Sequence, residues 1–214
     1  MKILLAKIEQ IARLKLKSGL SCHDWDHVSR VCNLAIWLGK KEKADLSILM
    51  AAALLHDIKK KEEVKSKGKI CHAIEGAKEA ERILRKLKLE DYFISRVKHC
   101  IEAHRYRNDI KPQTIEAKVL SDADKIDALG AVGIGRSMLF AGKVGARLHN
   151  SDVRDITATN GYGQDDTFYR EFMVKLRYLK DKMHTRIGKK IALERTKYME
   201  RFLDRLEKEI SAKL

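Results

Sequence analysis

The sequence predicts an all-α fold, a single helical bundle over residues 1–214 with residues 165–214 as C-terminal helices packed on it. Apolar residues recur every three or four positions through most of the chain, which is the period of an amphipathic helix. Charged residues are 35% and hydrophobic residues 44% of the chain, and Pro112 is its only proline, a balance typical of long amphipathic helices. With 214 residues and no stretch that resembles a linker, the chain is long enough for one sizeable core.

The individual helices are predicted from apolar spacing and from the turn residues between them. Leu4, Ile8 and Leu14 mark the first helix, over residues 3–16. The second predicted helix ends at Leu38, the third covers about residues 44–58 and the fourth covers residues 72–87. Two more begin at Asp91 and at Thr114, and the last two are marked by apolar residues from Phe168 to Leu179 and from Ile191 to Leu206. A polar, turn-rich segment over residues 143–164 precedes the last two helices.

The excess of basic over acidic residues favours anionic partners. A formal charge of +15 attracts polyanions, whether nucleic acid, nucleotides or an anionic membrane face. No apolar run approaches the roughly 20 residues of a membrane span, and the basic start lacks the features of a signal peptide, so we expect a cytoplasmic protein without a membrane partner. The cysteines stand singly, which favours reduced thiols over a zinc knuckle; they are Cys22, Cys32, Cys71 and Cys100.

Two histidines are predicted to point into the core. His27 is followed by Val31 and Leu38 at offsets of four and eleven, which places its imidazole on the apolar stripe of its helix. His104 is preceded by Ile101 at an offset of three, so it is also directed inward. A lone inward histidine is more often a core residue with its hydrogen bonds satisfied than a metal ligand, and the rest of the chain decides between the two.

The apolar run over residues 51–55 ends in the doublet His56-Asp57. An ionised carboxylate that is buried at the end of such a helix costs several kcal/mol unless a cation, a metal or hydrogen bonds compensate it. The alternative is a helix end at which Asp57 faces water. Downstream, Asp124 lies on the stripe of its helix and shares a face with Asp127, whereas Asp122 is predicted to be solvent-exposed.

Basic residues and a further histidine follow these positions. A run of lysines begins at Lys59 and is interpreted as a solvated loop over residues 59–69, although beside a metal it would gather phosphates. His72 is interpreted as a surface residue at the start of its helix. Arg105 follows His104 and Lys125 follows Asp124, which puts cations where a polyphosphate needs them.

Taken together, two imidazoles and two carboxylates from three helices form a candidate metal site: His27, His56, Asp57 and Asp124. Such a mixed nitrogen and oxygen set suits Mn, Fe, Co, Ni, Mg or Zn, with positions left for water and substrate. A bound ion lowers the pKa of coordinated water and neutralises charge on a phosphoryl group. The pattern therefore indicates hydrolysis of a phosphoester or phosphoanhydride.

The order His27, His56-Asp57, Asp124 resembles the HD-domain superfamily of metal-dependent phosphohydrolases, and in particular its small single-domain prokaryotic hydrolases. Residues 102–104 and 124–131 add to the likeness, which covers nearly the whole chain. The resemblance implies an all-α fold, one divalent ion on these four residues with manganese favoured, and nucleotide substrates, with deoxynucleoside triphosphate pyrophosphohydrolysis a known activity among similar proteins.

The predicted roles follow from this pattern and the resemblance. The predicted catalytic residues are Asp57, His104 and Lys125, and the predicted substrate-binding residues are Lys59, Lys60, His72, Arg105 and Asp127. The expected partner is a small phosphorylated molecule, a nucleotide by preference, and His104 and His72 are expected to contact its phosphate or a water.

Three alternatives stay open. The first is a basic helical protein that binds nucleic acid without catalysis, which is less favoured because it leaves the inward His and Asp residues unexplained. The second is a zinc helix built on His23-Asp24-x-x-His27, which lacks a glutamate base. The third is a two-metal phosphodiesterase of cyclic nucleotides, in which His72 and His104 would hold a second ion. The glycine-rich residues 130–136 follow a helix and not a strand, which excludes a phosphate-binding loop.

Overall fold

The computed structural model describes residues 2–16, 24–66, 69–105, 109–150 and 155–213. The predictions that involve Cys22 and His23 lie outside these residues. Within them every regular element is helical, which confirms the all-α prediction. The chain divides into two compact units, Met1–Asp124 and Lys125–Leu214, and the single domain over residues 1–214 stays a prediction.

The first unit contains α1 (Lys2–Leu16), α2 (Trp25–Lys41), α3 (Leu46–Leu55), α4 (Lys60–Lys65), α5 (His72–Lys86), α6 (Asp91–Ala103) and most of α7 (Ile115–Asp127). Helix α3 is its centre, because α1, α2, α5 and α6 all contact it. The residues from Ala51 to Leu55 are all buried, which is what an α-helix without a polar face requires. A polar side chain at the C-terminal end of α3 therefore enters the core.

Helices α2 and α3 are fixed by their caps and by a close approach. The carboxylate of Asp24 accepts hydrogen bonds from the amides of Asp26 and His27 at the start of α2, and Asp45 caps α3 in the same way. A Cβ on Gly39 would lie 2.5 Å from Leu49 Cδ2. The absence of a side chain at Gly39 lets the two helices approach closely.

Helix α7 is held against the others by Glu116, whose side chain is buried. Glu116 Oε1 accepts a hydrogen bond from the amide of Asp45 at 3.0 Å, and Oε2 pairs with Arg96 Nη2 at 2.7 Å. Burial opposes ionisation of this carboxylate, but the Asp45 amide and the Arg96 guanidinium outweigh it and lower the pKa of Glu116 below its ordinary value. The ionised form of Glu116 therefore stabilises the fold.

Replacing Glu116 with glutamine should lower the free energy of unfolding by about 2 kcal/mol at pH 7, because Arg96 loses its charged partner. The stabilisation is complete above the unfolded-state pKa of about 4.3 and is lost as the pH falls through the lower folded-state pKa. Urea titrations between pH 7 and pH 3 measure both effects, with exposed Glu90→Gln as the control. A constant difference between Glu116→Gln and wild type across that range would contradict the prediction.

The second unit contains α8 (Gly130–Lys143), α9 (Phe168–Val174) and α10 (Arg186–Ile210), with 3₁₀ turns at Ile156–Ala158 and Leu176–Lys182. The glycine-rich segment lies within α8 and forms no loop. A Cβ on Gly133 would lie 2.1 Å from the carbonyl oxygen of Ala128, so that position requires glycine.

Four sequence-based boundaries were wrong, the first because α2 runs on past Leu38 to Lys41. The helix predicted over residues 44–58 ends at Leu55, the lysine-rich residues predicted to form a loop contain α4, and the helix marked by Phe168 to Leu179 is divided into α9 and a 3₁₀ turn. Among the residues described, none of the helices combines the length and the apolar character that crossing a bilayer requires.

Candidate metal centre

Two fully buried imidazoles meet where α2 passes the end of α3. His27 lies in the first turn of α2 and His56 directly follows α3. Their Nε2 atoms are 3.3 Å apart. The inward direction predicted for His27 is confirmed.

The hydrogen bonds of His56 fix which nitrogen faces His27. His56 Nδ1 lies 2.8 Å from the carbonyl oxygen of Ala53, and a carbonyl only accepts hydrogen bonds, so Nδ1 carries a proton. In the neutral ring the Nε2 lone pair therefore points at His27. Two nitrogens this close are compatible either with a hydrogen bond donated by His27 to this lone pair or with a metal ion bound by both rings.

Two carboxylates complete the set of four side chains. Asp57 Oδ2 lies 3.6 Å from His27 Nε2 and 3.8 Å from His56 Nε2, and Asp124 Oδ1 lies 3.4 and 3.9 Å from the same two nitrogens. Ligands about 2.1 Å from an ion stand about 3 Å apart at a right angle, and further apart at wider angles. The donor atoms and their spacing fit one divalent ion.

Asp124 is the most solvent-exposed of the four side chains of this cluster. The Asp124 side chain is 28% exposed, whereas the side chains of His27, His56 and Asp57 are 0 to 3% exposed. The helix that carries Asp124 is anchored to the end of α6, because Ser121 Oγ, one turn before Asp124, donates a hydrogen bond to the carbonyl oxygen of His104 at 3.0 Å. An ion here would be open to a ligand on the side of Asp124.

A second set of ligand atoms adjoins the first. Asp57 Oδ1 lies 3.2 Å from His72 Nε2 and 4.0 Å from His104 Nε2, and these two nitrogens are 3.2 Å apart. The two oxygens of Asp57 thus face two different groups that each have metal-ligand spacing. Helix α5 packs against the end of α3 here, because Gly76 lies in van der Waals range of the carbonyl oxygen of His56, and His72 is one turn earlier.

Burial and the neighbouring side chains set the protonation states of His104 and Asp124. Desolvation, followed by the nearby imidazoles of His56 and His72, lowers the pKa of His104 to about 3, so this ring is neutral at pH 7. Burial opposes ionisation of Asp124, but the hydrogen bond from His27 and the surrounding imidazoles hold the pKa of this carboxyl well below its usual range. His104 Nδ1 lies 2.6 Å from the carbonyl oxygen of Ile101, so its Nε2 also faces the cluster.

Three residues predicted to bind substrate lie together around Glu63. Lys60 Nζ and His72 Nδ1 lie 2.7 and 2.8 Å from Glu63 Oε2, and Arg105 Nη2 lies 2.7 Å from Oε1. Lys59 is not in this group. It pairs with Glu62 and lines a cavity of about 260 Å³ whose other lining residues are Lys15, Ile58, Lys61, Glu62 and Lys65.

The remaining predicted positions have mixed outcomes. Asp122 and His72 are both buried, so the predicted solvent exposure of each was wrong. Lys125 and Asp127 belong to the second unit and are both buried, and Asp127 Oδ2 accepts a hydrogen bond from Arg136 Nη1 at 2.7 Å. Their roles in catalysis and substrate binding stay predictions.

Sequence reasoning missed Glu63. Its only signal is that Glu62 and Glu63 are the sole acids among residues 59–69, and the pattern did not distinguish one from the other. The structure does so, because Glu63 is buried whereas Glu62 remains 41% exposed.

Comparisons with known proteins agree with this geometry. Residues 24–129 match the HD domain family. The chain is 38% identical over 202 residues to the uncharacterized protein YpgQ of Bacillus subtilis, a match that covers 89% of this chain and 85% of YpgQ. The crystal structure of YpgQ in complex with ADP superimposes with a TM-score of 0.73 at 34% identity, covering 96% of this chain and 97% of YpgQ.

Two further similarities extend the comparison. A crystal structure of an HD-superfamily hydrolase from Bacillus thuringiensis is 30% identical with a TM-score of 0.76, and the match covers 99% of this chain and 98% of that one. Ribonuclease Y of Thermoanaerobacter pseudethanolicus is 32% identical over 121 residues, which cover 56% of this chain but 22% of the ribonuclease.

Proposed function

Because this chain belongs to the HD domain family, whose members are metal-dependent phosphohydrolases, we propose that it hydrolyses a phosphoester or phosphoanhydride bond of a nucleotide. Pyrophosphohydrolysis of deoxynucleoside triphosphates is the specific activity proposed. One observation carries the proposal: the Nε2 atoms of His27 and His56 lie 3.3 Å apart, and each is 3.4 to 3.9 Å from one carboxylate oxygen of Asp57 and one of Asp124.

These four residues would hold a divalent ion, for which manganese is favoured. When bound, such an ion supplies a water of lowered pKa and compensates charge on a phosphoryl group. Asp57 and Asp124 offset the two positive charges of the ion, and the neutral imidazoles add none. The more exposed Asp124 leaves that side of the cluster for a phosphate.

Positive charge beside the cluster supports an anionic substrate. Lys60 and Arg105 bring two positive charges against the one negative charge of Glu63, a net charge of +1 next to His72. A phosphate that reaches His72 would meet this field. In the proposal His104 and His72 contact the phosphate or the attacking water, and Asp57 is the catalytic carboxylate.

The nucleotide class is supported by the ADP bound to YpgQ, a relative that covers most of this chain. The formal charge of +15 is consistent with it. The similarity to ribonuclease Y keeps nucleic acid as a competing substrate, although the chain spans only 22% of that enzyme.

A second candidate is a two-metal phosphodiesterase acting on cyclic nucleotides. The observation that favours it is the position of Asp57, whose Oδ1 faces His72 and His104 while its Oδ2 faces His27 and His56. A carboxylate shared in this way is typical of sites with two ions.

A panel of nucleotides incubated with the purified protein and each divalent metal in turn tests both candidates. We expect deoxynucleoside triphosphates to release pyrophosphate with Mn²⁺ and cyclic nucleotides to stay intact, and metal analysis should find about one ion per chain. Ring opening of cyclic nucleotides with two ions per chain would favour the second candidate. No hydrolysis of any nucleotide, together with duplex binding that weakens steeply with salt and survives His56→Ala, would overturn both.

A further inference from the structure

Glu63 is a buried acid whose position the proposed reaction does not itself explain. It lies on the short helix α4 and its side chain is 8% exposed. A buried carboxylate is stable only when cations or donors compensate it. Glu63 has three such groups, because Lys60 and His72 contact Oε2 and Arg105 pairs with Oε1, all at 2.7 to 2.8 Å.

These contacts define the protonation of the His72 ring. Lys60 Nζ lies 2.7 Å from Oε2 of Glu63 and Arg105 Nη2 lies 2.7 Å from Oε1, and two cations this close keep the carboxylate ionised. An ionised carboxylate only accepts hydrogen bonds, so His72 Nδ1, 2.8 Å away, carries a proton. His72 Nε2 then faces Asp57 Oδ1 and His104 Nε2, each at 3.2 Å.

The position of His72 in its helix explains why its Nδ1 needs a side-chain acceptor such as Glu63. His56 and His104 follow the last residues of α3 and α6, so each Nδ1 reaches back to the carbonyl oxygen three residues earlier. His72 is the first residue of α5 and has no preceding helical turn. The acceptor for its Nδ1 comes instead from α4.

We propose that Glu63 is the positioning residue of the candidate centre, which fixes His72 as the Nδ1-protonated tautomer and aims its Nε2 at Asp57 and His104. Lys60 and Arg105 keep this carboxylate ionised and in place. The effect of Glu63 on cation binding rests on the proposed function, because it requires that an ion or a phosphate occupies the cluster. Its effect on the tautomer of His72 does not.

Nitrogen-15 NMR of the histidine rings in the metal-free protein tests the tautomer directly. Wild-type His72, assigned by its absence from His72→Gln, should show a protonated Nδ1 and an unprotonated Nε2 at pH 7. Glu63→Gln retains an acceptor oxygen and should keep most of this tautomer, whereas Glu63→Leu should lose it. Glu62→Leu, a matched change at the exposed neighbour that pairs with Lys59, should leave His72 unchanged.

Calorimetric titration of the same proteins with Mn²⁺ gives the second readout. We expect cation affinity to fall on the order of 10- to 100-fold in Glu63→Leu, by less in Glu63→Gln, and not at all in Glu62→Leu. An unchanged His72 tautomer in Glu63→Leu, or equal loss of that tautomer in Glu63→Gln and Glu63→Leu, would overturn the proposal. Because the tautomer is measured without metal or nucleotide, that result leaves the proposed hydrolysis standing, and a failed hydrolysis assay leaves the tautomer assignment standing.

Discussion

Asp57→Asn should eliminate both the bound ion and nucleotide hydrolysis, with kcat/KM reduced by about 10³-fold or more. Asp57 presents Oδ2 to His27 and His56 and Oδ1 to His72 and His104, so its charge acts on both groups of ligand atoms. A neutral amide removes one of the two negative charges that hold the ion, and loss of the ion removes several kcal/mol of stabilisation of the phosphoryl charge.

Metal content by mass spectrometry and hydrolysis of the best nucleotide in the panel measure these losses. Asparagine has nearly the same volume as aspartate, so the variant should keep its helical circular dichroism. Asp91→Asn, a matched change at a side chain that is 84% exposed, should retain one ion per chain and wild-type hydrolysis. An Asp57→Asn protein that still holds a stoichiometric ion would remove Asp57 from the metal centre.

Removing the metal should destabilise the protein, and restoring Mn²⁺ at 100 times its dissociation constant should raise the free energy of unfolding by about 2.7 kcal/mol. The physical reason lies in the metal-free cluster. His27 Nε2 and His56 Nε2 are 3.3 Å apart, and the carboxylates of Asp57 and Asp124 lie beside them with like charge. A divalent ion relieves this repulsion in the folded chain alone.

Urea unfolding with a chelator, and again after Mn²⁺ is added, measures the difference. Asp57→Asn is the control, because a variant without the site should show no Mn²⁺-dependent change. If wild type and Asp57→Asn gain equal stability from Mn²⁺, the ion acts elsewhere on the chain.

The sequence predicted those features that depend on local periodicity. The stripe that precedes His104 and the one that follows His27 both predicted burial, and both residues are buried. The all-α class and the HD family were also predicted correctly, the family from the order of four residues and not from any one of them. Burial of a residue on an apolar stripe depends on one helix alone, and family membership depends on the order of a few residues along the chain.

The errors arose where tertiary packing overrides the local pattern. Asp122 lies off the stripe of Asp124 and was expected in solvent, but α7 is covered on that side as well. The lysine-rich segment was expected to be a loop, yet it forms α4 and buries Glu63 against the start of α5. No spacing rule predicts a contact between Glu63 and His72, because it depends on how two helices meet.

Diffraction from crystals grown with Mn²⁺, recorded at the manganese absorption edge, would locate the ion. We expect an anomalous peak within bonding distance of His27 Nε2, His56 Nε2 and one oxygen each of Asp57 and Asp124. A crystal in which these four side chains turn away from one another, or in which manganese binds only at other residues, would contradict this expectation.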